Sequence, residues 1–278
     1  MYGFLGPNGA GKTTTIRMLL DLARPDRGDV YLFGRHVRRE RGALGRVGSL
    51  VEGASFYEFL TGRRNLEVLA LTSNFALPKE RFDAVLDVVD MREHSHRRVK
   101  GYSTGMKQRL GIAAAMLTDP DLLILDEPAN GLDPHGISEV RELTRRLVDE
   151  HGKTVFLSSH QLGEIEKVCD RVAIINRGRL LREGTLTDLV SETSRLRIEA
   201  EPFDRALAVV ADHWTYQLDS QGGLVVLAPR AEIPEVVSRL VHNDVHVYEV
   251  SVHRQTLEDY FLSVTQEAAT EVGTHDVG

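Results

Sequence analysis

Residues Gly6-Pro7-Asn8-Gly9-Ala10-Gly11-Lys12-Thr13 spell a complete G-x-x-x-x-G-K-[ST] loop, and few short motifs restrict a fold as tightly. Such a loop has to hang between a strand and a helix. Its glycines let successive backbone N–H groups curl around a phosphate, and the helix start adds its positive dipole end. Tyr2, Gly3, Phe4 and Leu5 can end the strand, and the run from Thr14 to Leu20 can form the helix. In that setting Gly6–Thr14 cradles nucleotide phosphates, Lys12 reaches the β- and γ-phosphates, and the Thr13 hydroxyl ligates Mg²⁺. The bland alternative is a glycine-rich turn that binds nothing.

The 278 residues are 42% hydrophobic and 27% charged, the balance of a soluble globular chain. No apolar run approaches the length of a membrane span, and no signal peptide is expected. Cys169 is the single cysteine, which excludes an internal disulfide framework and fits a reducing cytoplasm. With no partner cysteine it reads as a half-buried structural thiol, not a nucleophile. The net charge of −7 is unevenly spread: residues 191–278 carry six arginines, no lysine and fifteen acidic residues, a balance of −9 that leaves +2 for residues 1–190. An acidic C-terminal third argues against a nucleic-acid partner. The basic clusters Arg35–Arg39 and His94–Arg98 read first as solvated faces or loops.

Periodicity gives the rest of the architecture. Val30–Phe33, Val47–Val51, Leu122–Leu125 and Val155–Leu157 read as strands. Leu60–His96 is helical in pattern, with Leu66, Leu69, Ala70, Phe82, Val85, Leu86 and Val89 spaced by three and four; Met106–Leu117 and Ile137–Glu150 are further helices. Strand, helix and strand after a phosphate loop imply an α/β core, a P-loop ATPase type with a parallel sheet and a helical subdomain at about 53–118. From residue 185 the order becomes strand (Arg195–Glu201), helix (Phe203–Asp212), strand (Trp214–Leu218), strand (Leu224–Leu227), helix (Ile233–His242), strand (Val245–Val250). That βαββαβ order predicts a small C-terminal α+β domain of ferredoxin-like type over 185–267, with a disordered tail at 268–278.

Leu122–Leu125 runs straight into Asp126 and Glu127. At the end of a buried strand in a phosphate-loop ATPase, Asp126 would hold Mg²⁺, directly or through water, and Glu127 could polarise the attacking water as general base. Upstream, Tyr102-Ser103-Thr104-Gly105-Met106-Lys107-Gln108-Arg109 precedes a helix. This run resembles the signature of the ABC ATPases, with Tyr102, Thr104 and Met106 departing from the usual Leu, Gly and Gln. An ordinary helix cap would explain Ser103 alone.

The resemblance covers about residues 1–184. It implies that Ser103 and Gly105 meet the γ-phosphate, that Asn130–Asp133 forms the loop in which Asp133 communicates across a dimer, and that His160 in Ser158-Ser159-His160 senses the γ-phosphate. Glu52 stands where the family usually has Gln touching Mg²⁺ or the water. A glutamate there is similar to the exporter ATPases related to bacitracin resistance. The family further implies ATP and Mg²⁺ as cofactors, a head-to-tail homodimer or heterodimer, and a separate membrane permease contacted near Glu52–Asn65. The expected place is the cytoplasmic face of the membrane. Phe56, Tyr57 and Phe59 in that segment could instead be core aromatics. The leading expectation is the ATP-hydrolysing subunit of an exporter of drugs, antibiotics or peptides. The alternatives are a soluble ABC ATPase acting on ribosomes or DNA and a nucleotide-binding module with impaired turnover. The family also carries two strands and an adenine-stacking aromatic upstream of the loop, so the chain is expected to begin late in its frame or to bind ATP weakly.

Overall fold

Buried parallel strands need continuous apolar runs, and the chain places four of them side by side. The structure, a computed structural model, describes residues 1–40, 42–53, 55–72, 77–189, 193–219, 222–254, 256–262 and 264–265. They fall into two units, Met1–Gly184 and Thr185–Gly278.

The first unit begins with β1 (Tyr2–Leu5), α1 (Lys12–Leu19) and a two-stranded hairpin of β2 (Tyr31–Leu32) and β3 (Arg35–His36). It continues through β4 (Val47–Leu50), α2 (Gly62–Thr72), α3 (Lys79–Val88), α4 (Thr104–Ala115), β5 (Leu122–Asp126) and α5 (Pro134–Asp149). Then follow β6 (Thr154–Ser159), α6 (Leu162–Ile165), β7 (Arg171–Asn176) and β8 (Arg179–Thr185). The main sheet has the order β4-β5-β6-β1-β7-β8, and its first five strands pair in parallel. Register matters most for function. Leu5 lies opposite Ser159 and Asp126 opposite Ser158, so β1, β5 and β6 end abreast on one sheet edge.

Burial follows the apolar runs. Leu5, Ile16, Leu123, Ile124 and Leu125 are almost wholly withdrawn from solvent, each contributing roughly 1.5–3 kcal/mol. On α5, Val140, Leu143, Thr144 and Leu147 form the buried stripe of an amphipathic helix. This helix starts three residues ahead of the expected Ile137, because Asp133 caps it and Pro134 suits its first turn. The long helical pattern from Leu60 divides into α2 and α3. Leu66, Ala70, Phe82, Val85, Leu86 and Val89 are buried as expected, but Leu69 is exposed. The 30–33 segment is no strand of the main sheet: it yields only the short β2–β3 hairpin. Cys169 is buried, its Sγ only 3.0 Å from where a Cβ on Gly3 would lie. Burial pushes the Cys169 thiol up to about 12, the behaviour of an inert thiol.

The second unit contains α7 (Leu186–Leu189), β9 (Thr193–Glu201), α8 (Phe203–Ala211), β10 (Thr215–Leu218), β11 (Leu224–Pro229), α9 (Ile233–His242) and β12 (His246–Arg254). Its antiparallel sheet has the order β10-β11-β9-β12, the arrangement of a ferredoxin-like unit. Leu196, Ile198 and Ala200 of β9 pack with Ala206 and Val210 of α8 and Val236 and Leu240 of α9. The intervening Arg195, Arg197, Glu199 and Glu201 are exposed, the period-two pattern of a half-buried strand. The tail expected to be disordered lies outside the described residues. Among the described residues no helix is long and apolar enough to cross a membrane.

Candidate active site at the phosphate loop

The loop leaves β1 at Gly6, where only a residue without Cβ fits: a Cβ there would lie 2.4 Å from the Ile175 carbonyl oxygen and 2.9 Å from Ala10 Cβ. Gly11 then caps α1 with φ 103°, a left-handed conformation that glycine adopts without strain. Pro7, Asn8 and Gly9 form the exposed tip, and the backbone N–H of Gly178 donates to the Ala10 carbonyl to hold the far side. Lys12, Thr13 and Thr14 open the first turn of α1, with their N–H groups at the helix start where an anion is favoured.

Lys12 is buried and turns back over this loop. Its Nζ donates to the carbonyl oxygens of Gly6 (2.8 Å) and Pro7 (3.3 Å) and pairs with Glu127 Oε1 at 3.0 Å. The other Glu127 oxygen meets His160 Nδ1 at 2.5 Å. As a carboxylate paired with Lys12, Glu127 only accepts, so His160 Nδ1 carries the hydrogen. Glu127 itself sits at φ 50°, an uncommon conformation for a residue with a Cβ and one that concentrates at functional sites. One residue earlier, Asp126 Oδ2 accepts from Thr13 Oγ1 at 2.8 Å, and Asp126 Oδ1 accepts from Ser158 Oγ at 2.5 Å. Thus Lys12, Thr13, Asp126, Glu127 and His160, drawn from β1–α1, β5 and β6, meet at one sheet edge.

The pair Thr13 Oγ1 and Asp126 Oδ2 suits Mg²⁺. Both are hard oxygen donors already within 2.8 Å of each other, and this ion is commonly held by one or two carboxylates together with substrate phosphates.

Other residues expected at the site stand apart from this cluster. Glu52 pairs with the Arg17 guanidinium on α1, and that hydrogen bond holds its carboxyl below the usual carboxylate range. Its backbone, at φ 58°, turns just after β4. Asp133 spends its Oδ1 on the Gly136 N–H as the cap of α5. Ser103 caps α4 by accepting from the Met106 N–H at 3.2 Å, and is exposed; Gly105 is half-buried in that helix's first turn. Among the described residues, no hydrogen bond or ion pair joins Glu52, Asp133, Ser103 or Gly105 to the Lys12–Glu127–Asp126 cluster. Ser158 joins this cluster from within β6, and its only signal in sequence is a polar side chain at the end of the apolar run Val155-Phe156-Leu157.

Residues 1–130 match the family described as ABC transporter. The ABC transporter ATP-binding protein YhcH of Bacillus subtilis is 40% identical over 274 residues, 98% of this chain and 89% of the relative. The chain belongs to the ABC transporter ATP-binding proteins. The bacitracin transport ATP-binding protein BcrA of Bacillus licheniformis is 41% identical over 270 residues, covering 95% of this chain and 88% of BcrA. Among solved structures, an ATP-binding subunit of an ABC transporter superposes with a TM-score of 0.58 at 30% identity, covering 68% of this chain and 80% of that one. As an ABC ATP-binding protein the chain is an ATPase with an α/β P-loop fold, as the sequence implied.

Proposed function

We propose that this ABC ATPase is the ATP-hydrolysing subunit of an exporter of drugs, antibiotics or peptides, working at the cytoplasmic face of a membrane through a separate permease. The observation that carries the proposal is the meeting of Lys12, Thr13, Asp126, Glu127 and His160 at one sheet edge. On ATP binding, Lys12 Nζ leaves the Gly6 and Pro7 carbonyls for β- and γ-phosphate oxygens, while the loop N–H groups surround the β-phosphate. Thr13 and Asp126 would hold Mg²⁺, which would supply positive charge against the phosphates. Glu127 takes a proton from the attacking water, the water oxygen bonds to the γ-phosphorus, and the bond to ADP breaks with its electron pair leaving on ADP. His160, bonded to Glu127, orients the carboxylate and senses the γ-phosphate.

Ser103 and Gly105, away from this cluster, act in a second copy or a related ATPase domain. Two domains pair head to tail, each ATP lying between Gly6–Thr14 of one and Ser103–Gly105 of the other, with Asp133 beside the seam. The exposure of Ser103 at the start of α4 supports this reading. The permease contacts the segment Glu52–Asn65. Tyr57 and Phe59 there are 55% and 69% exposed and form a ring pair 5.8 Å apart, so they are surface residues and not core aromatics. The likeness to BcrA, a bacitracin transport protein, supports an antibiotic or peptide as cargo.

Glu127→Gln tests the catalytic assignment. The variant should bind ATP, accumulate as an ATP-bound dimer in size-exclusion chromatography and lose turnover. Turnover equal to that of wild type would remove Glu127 from the role. Affinity capture of the tagged chain from membranes should bring down a multi-span permease; capture of ribosomes or DNA instead would favour a soluble role.

A further inference from the structure

We infer that Ser158 is a positioning residue for hydrolysis, setting the carboxylate of Asp126 and the backbone of Glu127 with a single hydroxyl. Ser158 is completely buried at the C-terminal end of β6, directly opposite Asp126 across the β5–β6 ladder. Its Oγ donates to Asp126 Oδ1 at 2.5 Å and accepts the Glu127 N–H at 2.9 Å. A hydroxyl has one hydrogen to give, and Ser158 gives it to Asp126.

Each bond answers a separate need. Asp126 has one oxygen turned to Thr13 and the other to Ser158, so the two hydroxyls fix its carboxylate plane. Remove Ser158 Oγ, and Oδ1 keeps no donor among the described residues, leaving the carboxylate free to rotate away from Thr13. Glu127, at φ 50°, holds its N–H out of the strand ladder, and Ser158 Oγ is the acceptor that takes it. Strained backbone persists only where its surroundings over-determine it, and this bond is part of that determination. Neighbouring Ser159 cannot substitute, since its hydroxyl accepts from the Gln161 N–H in the turn that carries His160. Ser158 therefore links the carboxylate that would hold Mg²⁺, through its Oδ1, to the position of the general base, and the inference rests on the roles proposed above for Asp126 and Glu127.

The test uses the full chain as wild type, Ser158→Ala, Ser158→Thr and Asp126→Asn. Thermal shifts are read with ATP plus EDTA and with ATP plus Mg²⁺, each against the same variant without nucleotide. ATPase rate is followed against Mg²⁺ concentration. Ser158→Ala should keep the ATP–EDTA shift and lose most of the additional Mg²⁺-dependent shift. Its half-saturating Mg²⁺ should rise about tenfold and its kcat fall about tenfold, the scale seen when a hydrogen-bond partner of a metal ligand is removed. Ser158→Thr, which restores the hydroxyl, should recover most of both. A Ser158→Ala variant with wild-type Mg²⁺ dependence and kcat overturns the inference, as does equal loss of the ATP–EDTA and Mg²⁺-dependent shifts. Asp126→Asn separates the two levels. If it retains the Mg²⁺-dependent shift, the assignment of Asp126 falls and the role of Ser158 falls with it. If it loses that shift while Ser158→Ala does not, only the role of Ser158 falls.

Discussion

Lys12 Nζ and Glu127 Oε1 lie 3.0 Å apart, so the cation that should grip phosphate is held by the carboxylate that should activate water. Lys12 also satisfies two loop carbonyls. In the proposed role of Lys12, nucleotide entry exchanges these three partners for phosphate oxygens.

Lys12→Ala should weaken ATP binding by roughly tenfold or more, since hydrogen bonds to charged groups are worth about 1.5–3 kcal/mol. Titration with a fluorescent ATP analogue measures it. Unchanged affinity would show that Lys12 stays with Glu127 in the bound state.

Gly6→Ala should be disruptive although it adds one methyl group. The new Cβ would lie 2.4 Å from the Ile175 carbonyl oxygen, a backbone atom that cannot swing aside. Overpacking of this kind costs about 1–3 kcal/mol, and here it also bends the loop. A lower Tm together with weaker ATP binding is expected. A variant equal to wild type in both would mean that the loop relaxes freely.

Tyr57→Ser with Phe59→Ser should leave Tm almost unchanged, because substitutions at exposed positions usually stay within about 0.5 kcal/mol. Association with the permease should be lost. Co-purification undiminished by the double substitution would move the docking site elsewhere.

Acid should destabilise the chain in a defined window. Asp83, Asp119 and Glu164 are held below the usual carboxylate range, chiefly by hydrogen bonds from Arg63, Lys153 and Lys167 respectively. A depressed pKa in the folded state means that the unfolded chain binds protons first as pH falls. The stabilisation is thus present above the unfolded carboxylate values near pH ~4 and is lost as pH drops below them through the folded-state values. Tm should hold from neutral pH down to about pH 5 and then fall, and Asp83→Asn should have a lower Tm at neutral pH with a shallower acid decline. A Tm independent of pH down to about pH 3 would contradict this.

Much of the fold is legible in local pattern. Leu122–Leu125 is apolar at every position because both sheet faces bury it, and the alternation of Arg195–Glu201 shows a sheet with one dry face. The hairpin of β7 and β8 escaped, although Arg177 and Gly178 at φ 49° and 73° make the tight turn that such hairpins prefer. His36, within a cluster that reads as a solvated face, is buried. Its Nδ1 accepts from the Arg38 and Arg39 N–H groups, and its Nε2 bonds to Asp29 Oδ1 at 2.8 Å. Those partners arise from the curl of a loop, which has no period to read.

Sequence alone determined the phosphate loop, the acidic end of β5 and the histidine after β6, because each is a contiguous run whose chemistry depends on near neighbours. It could not determine that Thr13 bonds Asp126 across 113 residues, that Glu52 turns to Arg17, or that Ser158 ties Asp126 to Glu127. Those contacts depend on the parallel register of β1, β4, β5 and β6, which the whole buried sheet sets at once. One hydroxyl's partners follow from that register.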